Sequence, residues 1–181
     1  MQTDRKFADF GKNLPYYCMD TIPPGGLCLS VFLVLSRGSE NNVLLGKVNP
    51  KHTGWAHIAA LDETRLERFS AAWMLPSRHL ILCEDPNTAA KTILKEQLDF
   101  EDLELTGPKV VTEVYDIPRL GLKDHWDFDF IFFGKIARDI APHPAWLELN
   151  FIDVSSLPDT EFARGHQDVL ANAGLRRRQA S

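Results

Sequence analysis

The run from Leu27 to Leu35 is apolar, partly β-branched and broken by a single serine, Ser30, with Gly26 before it and Arg37-Gly38-Ser39 after it. That pattern reads as a strand buried within a sheet. It is far shorter than the ~20 apolar residues a helix needs to span a bilayer, so no membrane partner is expected. Asn41-Asn42 then marks a turn, and Val43 to Val48 continues as a second strand until Asn49-Pro50 breaks it, which completes a hairpin.

Further along, Asp62 is an N-cap candidate, and Leu66, Phe69 and Trp73 follow at i, i+3 and i+7, the spacing of one helical stripe. The segment Leu75 to Leu82 returns to an extended or loop pattern. A second helix is expected after Asp85, with Pro86 at its first position and Ala90, Ile93, Leu94 and Leu98 on its apolar side. Val110 to Tyr115 and Trp126 to Ile136 are strand candidates rich in β-branched and aromatic residues, and the second begins with the alternation Asp127-Phe128-Asp129-Phe130. Leu147 to Val154 adds a strand, and Glu161 to Ala173 closes the chain as a helix stopped by Gly174. Strands interrupted by helices argue for an α/β fold, a mixed sheet covered on both faces.

With 181 residues, 44 % hydrophobic and 25 % charged, the chain suffices for one core and is not disordered as a whole. Residues 1–26, with Pro23-Pro24 and Gly25-Gly26, read as an N-terminal arm; residues 27–175 form one domain with an insertion at 49–73 that carries a short helix; residues 176–181 are a basic tail. Twenty Lys and Arg against 25 Asp and Glu leave a formal charge of −5, which supplies no domain-wide basic field, so nucleic acid is not expected as the main partner. Cys18, Cys28 and Cys83 cannot all pair and match no CxxC spacing, and the N-terminus lacks the pattern of a signal peptide. A cytoplasmic location is the expectation.

The stretch from Leu75 to Phe100 resembles the box of the Nudix hydrolase family, G-x5-E-x7-R-E-U-x-E-E-x-G-U with U aliphatic. Leu75-Pro76, Glu84, Ala89-Ala90, Leu94 and Glu96 fall in register without a gap, and Phe100 takes the last apolar position. The chemistry departs from the pattern: Arg78 stands at the first Gly, Thr92 at the Arg, Ile93 at the adjoining Glu, Gln97 at the second Glu of the pair and Asp99 at the last Gly. The hairpin from Leu27 to Val48, the segment around His125-Trp126-Asp127-Phe128 and the Phe162-Ala163-Arg164-Gly165-His166 stretch are similar to the strands and last helix that surround the box. The resemblance implies a Nudix-like αβα sandwich over residues 27–175, and a homodimer by family likeness alone.

Positions 93, 96 and 97 share one helix face. The family holds Mg²⁺ there with three glutamates, so that the ion binds a pyrophosphate and positions water. This chain keeps one carboxylate, Glu96. The resemblance then nominates Glu96 and Glu84 as catalytic candidates and Arg78 and His79 as groups that face a phosphate in place of the missing metal charge; Trp55, an aromatic residue of the 49–73 insertion, is a base-stacking candidate. Glu96 and Asp127 are the metal-ligand candidates, with Asp129 and His125 beside Asp127 in sequence. Each has a plainer reading: an exposed helix glutamate for Glu96, a residue near a helix N-terminus for Glu84, packing for Trp55, and the polar face of a strand for Asp127. The functional expectation is a Nudix-fold protein with a degraded box that binds a nucleotide-type or other phosphorylated small molecule with low or no hydrolase activity. The alternative is a working Mg²⁺- or Mn²⁺-dependent hydrolase of nucleoside diphosphates linked to another group, which uses Glu96 with Asp127 or Glu113.

Overall fold

The computed structural model describes residues 25–59, 61–117 and 121–177. The expected arm, apart from Gly25 and Gly26, and the end of the basic tail lie outside them. Among the described residues, six strands and four α-helices follow in the order β1 (Leu27–Arg37), β2 (Ser39–Val48), α1 (Trp55–Ala59), α2 (Glu63–Phe69), β3 (Ser77–His79), α3 (Pro86–Leu98), β4 (Thr106–Ile117), β5 (Leu122–Lys135), β6 (Trp146–Asp153) and α4 (His166–Ala173). The strands form one mixed sheet in the order β4-β5-β1-β2-β6, with the short β3 paired to β1. β1 runs parallel to β5 and antiparallel to β2 and β3. Among the described residues no helix is long and apolar enough to cross a membrane.

β1 lacks a polar face because both of its faces are covered. Val31, Leu33 and Leu35 pack with Leu44 and Phe132 under Ala89, Ala90, Ile93, Leu94 and Leu98 of α3. On the opposite face Phe32, Val34, Val43, Leu45 and Ile131 pack with Val169 and Leu170 of α4, and with Trp73, Leu75 and Phe162. A third cluster joins the inserted helices to the sheet edge through Trp55, Ile58, Leu61, Leu66, Met74 and Trp146. Gly46 is required there, since a Cβ on it would lie 2.2 Å from the Trp146 ring.

The helix boundaries have local causes. The Asp85 carboxylate accepts from Asn87 N and Thr88 N with Pro86 in the first turn, and Asp99 ends α3 in the left-handed region at φ 53°. Asp62 caps α2 by accepting from Arg65 N. The helix expected from Glu161 starts later, at His166, because Arg164 and Gly165 both turn left-handed, at φ 57° and 73°. The stripe Leu66, Phe69, Trp73 is likewise shortened: α2 stops at Phe69, and Trp73 leaves it to bridge Phe162. The insertion holds two short helices rather than one. Arg176, at the start of the basic tail, is fixed by Asp159 and stacks 4.8 Å over Phe162.

Candidate functional site

Strand register assembles the site. On the α4 side of the sheet, Cys28 of β1 pairs with Asp127 of β5, and Asp127 pairs in turn with Glu113 of β4. The next row along runs His79, Ser30, Asp129 and Val111 across β3, β1, β5 and β4. Tyr115 stands opposite His125. Because side chains alternate across a strand, these groups all rise from one face, and all but Val111 form the floor of a cleft of about 1160 Å³. Arg65, Arg68 and Phe69 of α2 form one wall; Arg164, Gly165, His166 and Asp168 at the start of α4 form another.

The floor is acidic and the walls are basic. Asp129 is 4 % exposed, and burial, reinforced by the nearby charges of Asp127 and Glu113, raises its pKa to about 7. The Tyr115 hydroxyl donates to Asp127 Oδ2 at 2.6 Å, and burial together with that carboxylate raises the phenol well above its ordinary value. Opposite them, burial and the charge of Arg65 bring the Arg164 guanidinium down to about 10, so it remains a cation at neutral pH. It makes no hydrogen bond or ion pair with any described residue. A cation held on a left-handed, non-glycine backbone and without an acceptor is the arrangement expected where an anionic ligand completes the site.

The residues nominated from the sequence divide between the cleft and the core. Asp127 and His79 line the cleft. His79 Nδ1 lies 3.2 Å from Ser30 Oγ, and burial, with Arg164, Arg65 and His125 nearby, lowers its pKa to about 3. It is therefore neutral and can offer a ligand a hydrogen bond but no charge. Arg78 is 2 % exposed and does not face the cleft: its Nη2 donates to Glu84 Oε1 at 2.5 Å, and Glu84 Oε2 accepts from Ile81 N at 3.1 Å. Arg78 and Glu84 are thus a buried pair that fixes the loop ahead of α3. Trp55 is 1 % exposed, with its indole N–H donating to Ala145 O at 2.9 Å and its ring edge-on to Trp146. Glu96 is half-buried on α3 and does not line the cleft.

The face at positions 93, 96 and 97 does not fit the Mg²⁺ that the sequence resemblance implies. Ile93 and Gln97 are both fully buried. The Gln97 amide is engaged at both ends, accepting from Ser77 N at 3.3 Å and donating to Ser77 O at 3.0 Å, so its oxygen serves the loop instead of a cation. One carboxylate is too few to hold a strongly hydrated ion without further ligands. The basic residues of the cleft, Arg65, Arg68 and Arg164, were not singled out from the sequence. The one local signal was the Arg-Gly pair at 164 and 165 immediately before a helix.

His166 supplies a test of this architecture. It is 1 % exposed, its Nδ1 accepts from Leu75 N at 2.8 Å, and burial and Arg164 hold its pKa well below 6.5. The unfolded chain takes up a proton below pH ~6.5 while the folded chain does not, so stability is fully present above that pH and is lost as pH falls. His166→Gln, which retains an acceptor, is expected to flatten the acid limb of the stability profile by up to about 1.4 kcal/mol per pH unit. Denaturant melts of both proteins between pH 4 and 8 check it, and parallel profiles would refute it.

No protein-family profile matches the chain, and no curated protein matches it significantly. Solved structures do. The NUDIX domain of NrtR from Shewanella oneidensis, solved with ADP ribose, superposes with a TM-score of 0.55 at 15 % identity, over 82 % of this chain and 87 % of that one. A mutT/nudix family protein from Listeria innocua gives 0.55 at 18 % identity over 85 % and 94 %. The E. coli dihydroneopterin triphosphate pyrophosphohydrolase gives 0.53 at 13 % identity over 80 % and 92 %.

Proposed function

We propose that this chain, which has the Nudix fold, binds a phosphorylated small molecule of nucleotide type in the cleft between the sheet floor, α2 and the start of α4, with low or no hydrolase activity. The carrying observation is Arg164, a half-buried guanidinium without a hydrogen bond or ion pair to any described residue, which lines a cleft large enough for a nucleotide. Arg65 and Arg68 add positive charge on the facing wall. The phosphate groups lie against these arginines, and Phe69, Tyr115 and neutral His79 offer a nucleoside apolar surface and hydrogen bonds. The ADP ribose held by the Shewanella domain is of the same chemical class. Low turnover follows from the face of α3, where Ile93 and Gln97 serve the core.

The second reading is a metal-dependent hydrolase, and one observation favours it: Glu113, Asp127 and Asp129 stand side by side on the cleft floor. Glu96 would not join them there.

The test is a thermal-shift and calorimetric panel of ADP ribose, ADP and inorganic pyrophosphate, with and without Mg²⁺. A nucleotide is expected to raise the melting temperature without Mg²⁺. Arg164→Gln should weaken its binding about 10- to 100-fold, the loss of a charge-assisted hydrogen bond of about 1.5–3 kcal/mol, while leaving stability largely unchanged because the side chain it replaces bonds no described residue. Equal affinity in the variant would sink the proposal. Rapid Mg²⁺-dependent cleavage of the panel would replace it with the hydrolase reading.

A further inference from the structure

The same sheet register that builds the cleft places three chemically different donors together at one end of its floor. Cys28 Sγ, a ring nitrogen of His125 and a carboxylate oxygen of Asp127 all lie within 4.8 Å of one another. Cys28 and Asp127 are cross-strand partners, and His125 is two residues before Asp127 on the same face of β5.

Their outer hydrogen bonds orient them. His125 Nδ1 lies 2.6 Å from Gly25 O, a group that can only accept, so the proton sits on Nδ1. Nε2 points at Asp127 Oδ1, 3.0 Å away. A ring nitrogen and a carboxylate oxygen at that distance share a positive centre, which is either a proton on Nε2 or a bound cation. The contact to Gly25 is built in: a Cβ on Gly25 would lie 2.5 Å from His125 N, so only glycine lets the chain pass close enough. The other oxygen of Asp127 is held by the Tyr115 hydroxyl at 2.6 Å. A ring N–H given to a backbone carbonyl and a carboxylate fixed by a second hydrogen bond are the outer partners that orient metal ligands.

We infer that Cys28, His125 and Asp127 form a site for a borderline divalent cation of the zinc class, with an open coordination position facing the cleft. Sulfur, imidazole nitrogen and one carboxylate oxygen match Zn²⁺ and not Mg²⁺, which takes oxygen ligands. A tetrahedral ion at about 2.0–2.3 Å from each donor needs them roughly 3.3–3.8 Å apart, within a side-chain adjustment of the distances seen. Three protein ligands leave a fourth position for water or a ligand oxygen. The site is separate from the face of α3 and does not depend on nucleotide binding.

The test uses the metal alone. Chelator-treated protein is titrated with Co²⁺, whose bond to a thiolate gives a near-ultraviolet charge-transfer band, and one equivalent of Zn²⁺ is then added to displace it. The band is expected in the Cys18→Ser/Cys83→Ser protein, where Cys28 is the remaining thiol, and is expected to vanish in Cys28→Ser. Asp127→Asn, which keeps the side-chain shape, should weaken Zn²⁺ at least tenfold, and Tyr115→Phe about tenfold, in line with ligands and their outer partners elsewhere. No band in the parent, a band that survives Cys28→Ser, or Asp127→Asn with unchanged Zn²⁺ affinity each overturns the site. Should Cys28→Ser fail to fold, the Asp127→Asn titration decides alone. Metal binding without any nucleotide response leaves this site standing and the proposed function refuted, and the converse pattern separates them equally.

Discussion

Restoring glutamates to the face of α3 is expected to damage the fold without creating a Mg²⁺ site. From the sequence, Thr92→Arg, Ile93→Glu and Gln97→Glu together put three carboxylates at i, i+3 and i+4. In the structure Ile93 is fully buried beneath Val31, Leu33 and Phe132. Ile93→Glu removes a buried aliphatic group, worth about 2–5 kcal/mol, and forces either an unpaired charge or a protonated acid into the same space. Gln97→Glu loses the amide donor to Ser77 O and sets a carboxylate against that carbonyl, about 1–3 kcal/mol more. Denaturant unfolding of each single variant should show these losses, with Ile93→Glu the larger, and calorimetry should show the triple variant binding Mg²⁺ no better than the parent. A folded triple variant with a new Mg²⁺ site would mean that this helix face can open, and the low-turnover proposal would fall with it.

The second large effect is expected at Glu84. Its partner Arg78 has a side chain with no solvent exposure, the Glu84 side chain is 12 % exposed, and Arg78 Nε has no hydrogen-bond partner among the described residues. Glu84→Ala therefore strands a buried guanidinium that already lacks one acceptor, a loss of about 3–5 kcal/mol. Removing both charges is different, because a buried pair costs desolvation to form: Arg78→Met with Glu84→Leu should recover most of the loss. A double-mutant cycle by chemical denaturation measures the coupling. Glu84→Ala with full stability but altered turnover of a phosphorylated substrate would show Glu84 to be a reacting group and not a structural one.

What the sequence determined by itself is what lies within a few residues in the chain. Asp85 and Pro86 start α3 because a side-chain oxygen and a fixed φ act on the adjacent turn, and the apolar positions Ala90, Ile93, Leu94 and Leu98 are legible because the helix repeats every 3.6 residues. The unbroken run of β1 announces a strand covered on both faces. The spacing of Leu75 to Phe100 was enough to suggest the Nudix fold, which the structural neighbours share.

Tertiary structure alone decided which side chains meet. Residue 28 meets residue 127 through the β1–β5 register, and no local propensity encodes a pairing across that distance, since a shift of one residue would turn every donor to the other face. The stripe ending at Trp73 and the helix expected from Glu161 are both cut by one long-range bridge, in which Trp73 N bonds Glu161 O and Ala163 N bonds Trp73 O, and the left-handed pair Arg164-Gly165 then sets the start of α4 at His166. Arg78 and His79, adjacent in sequence, part company because β3 is extended and sends successive side chains to opposite faces, one into the pair with Glu84 and the other into the cleft. Arg164 became a site residue only when the left-handed turn before α4 brought it over the acidic floor. Local chemistry sets the elements; the charge and ligand geometry of the cleft come from groups far apart in the chain, whose proximity is fixed only when the sheet and its covering helices close around them.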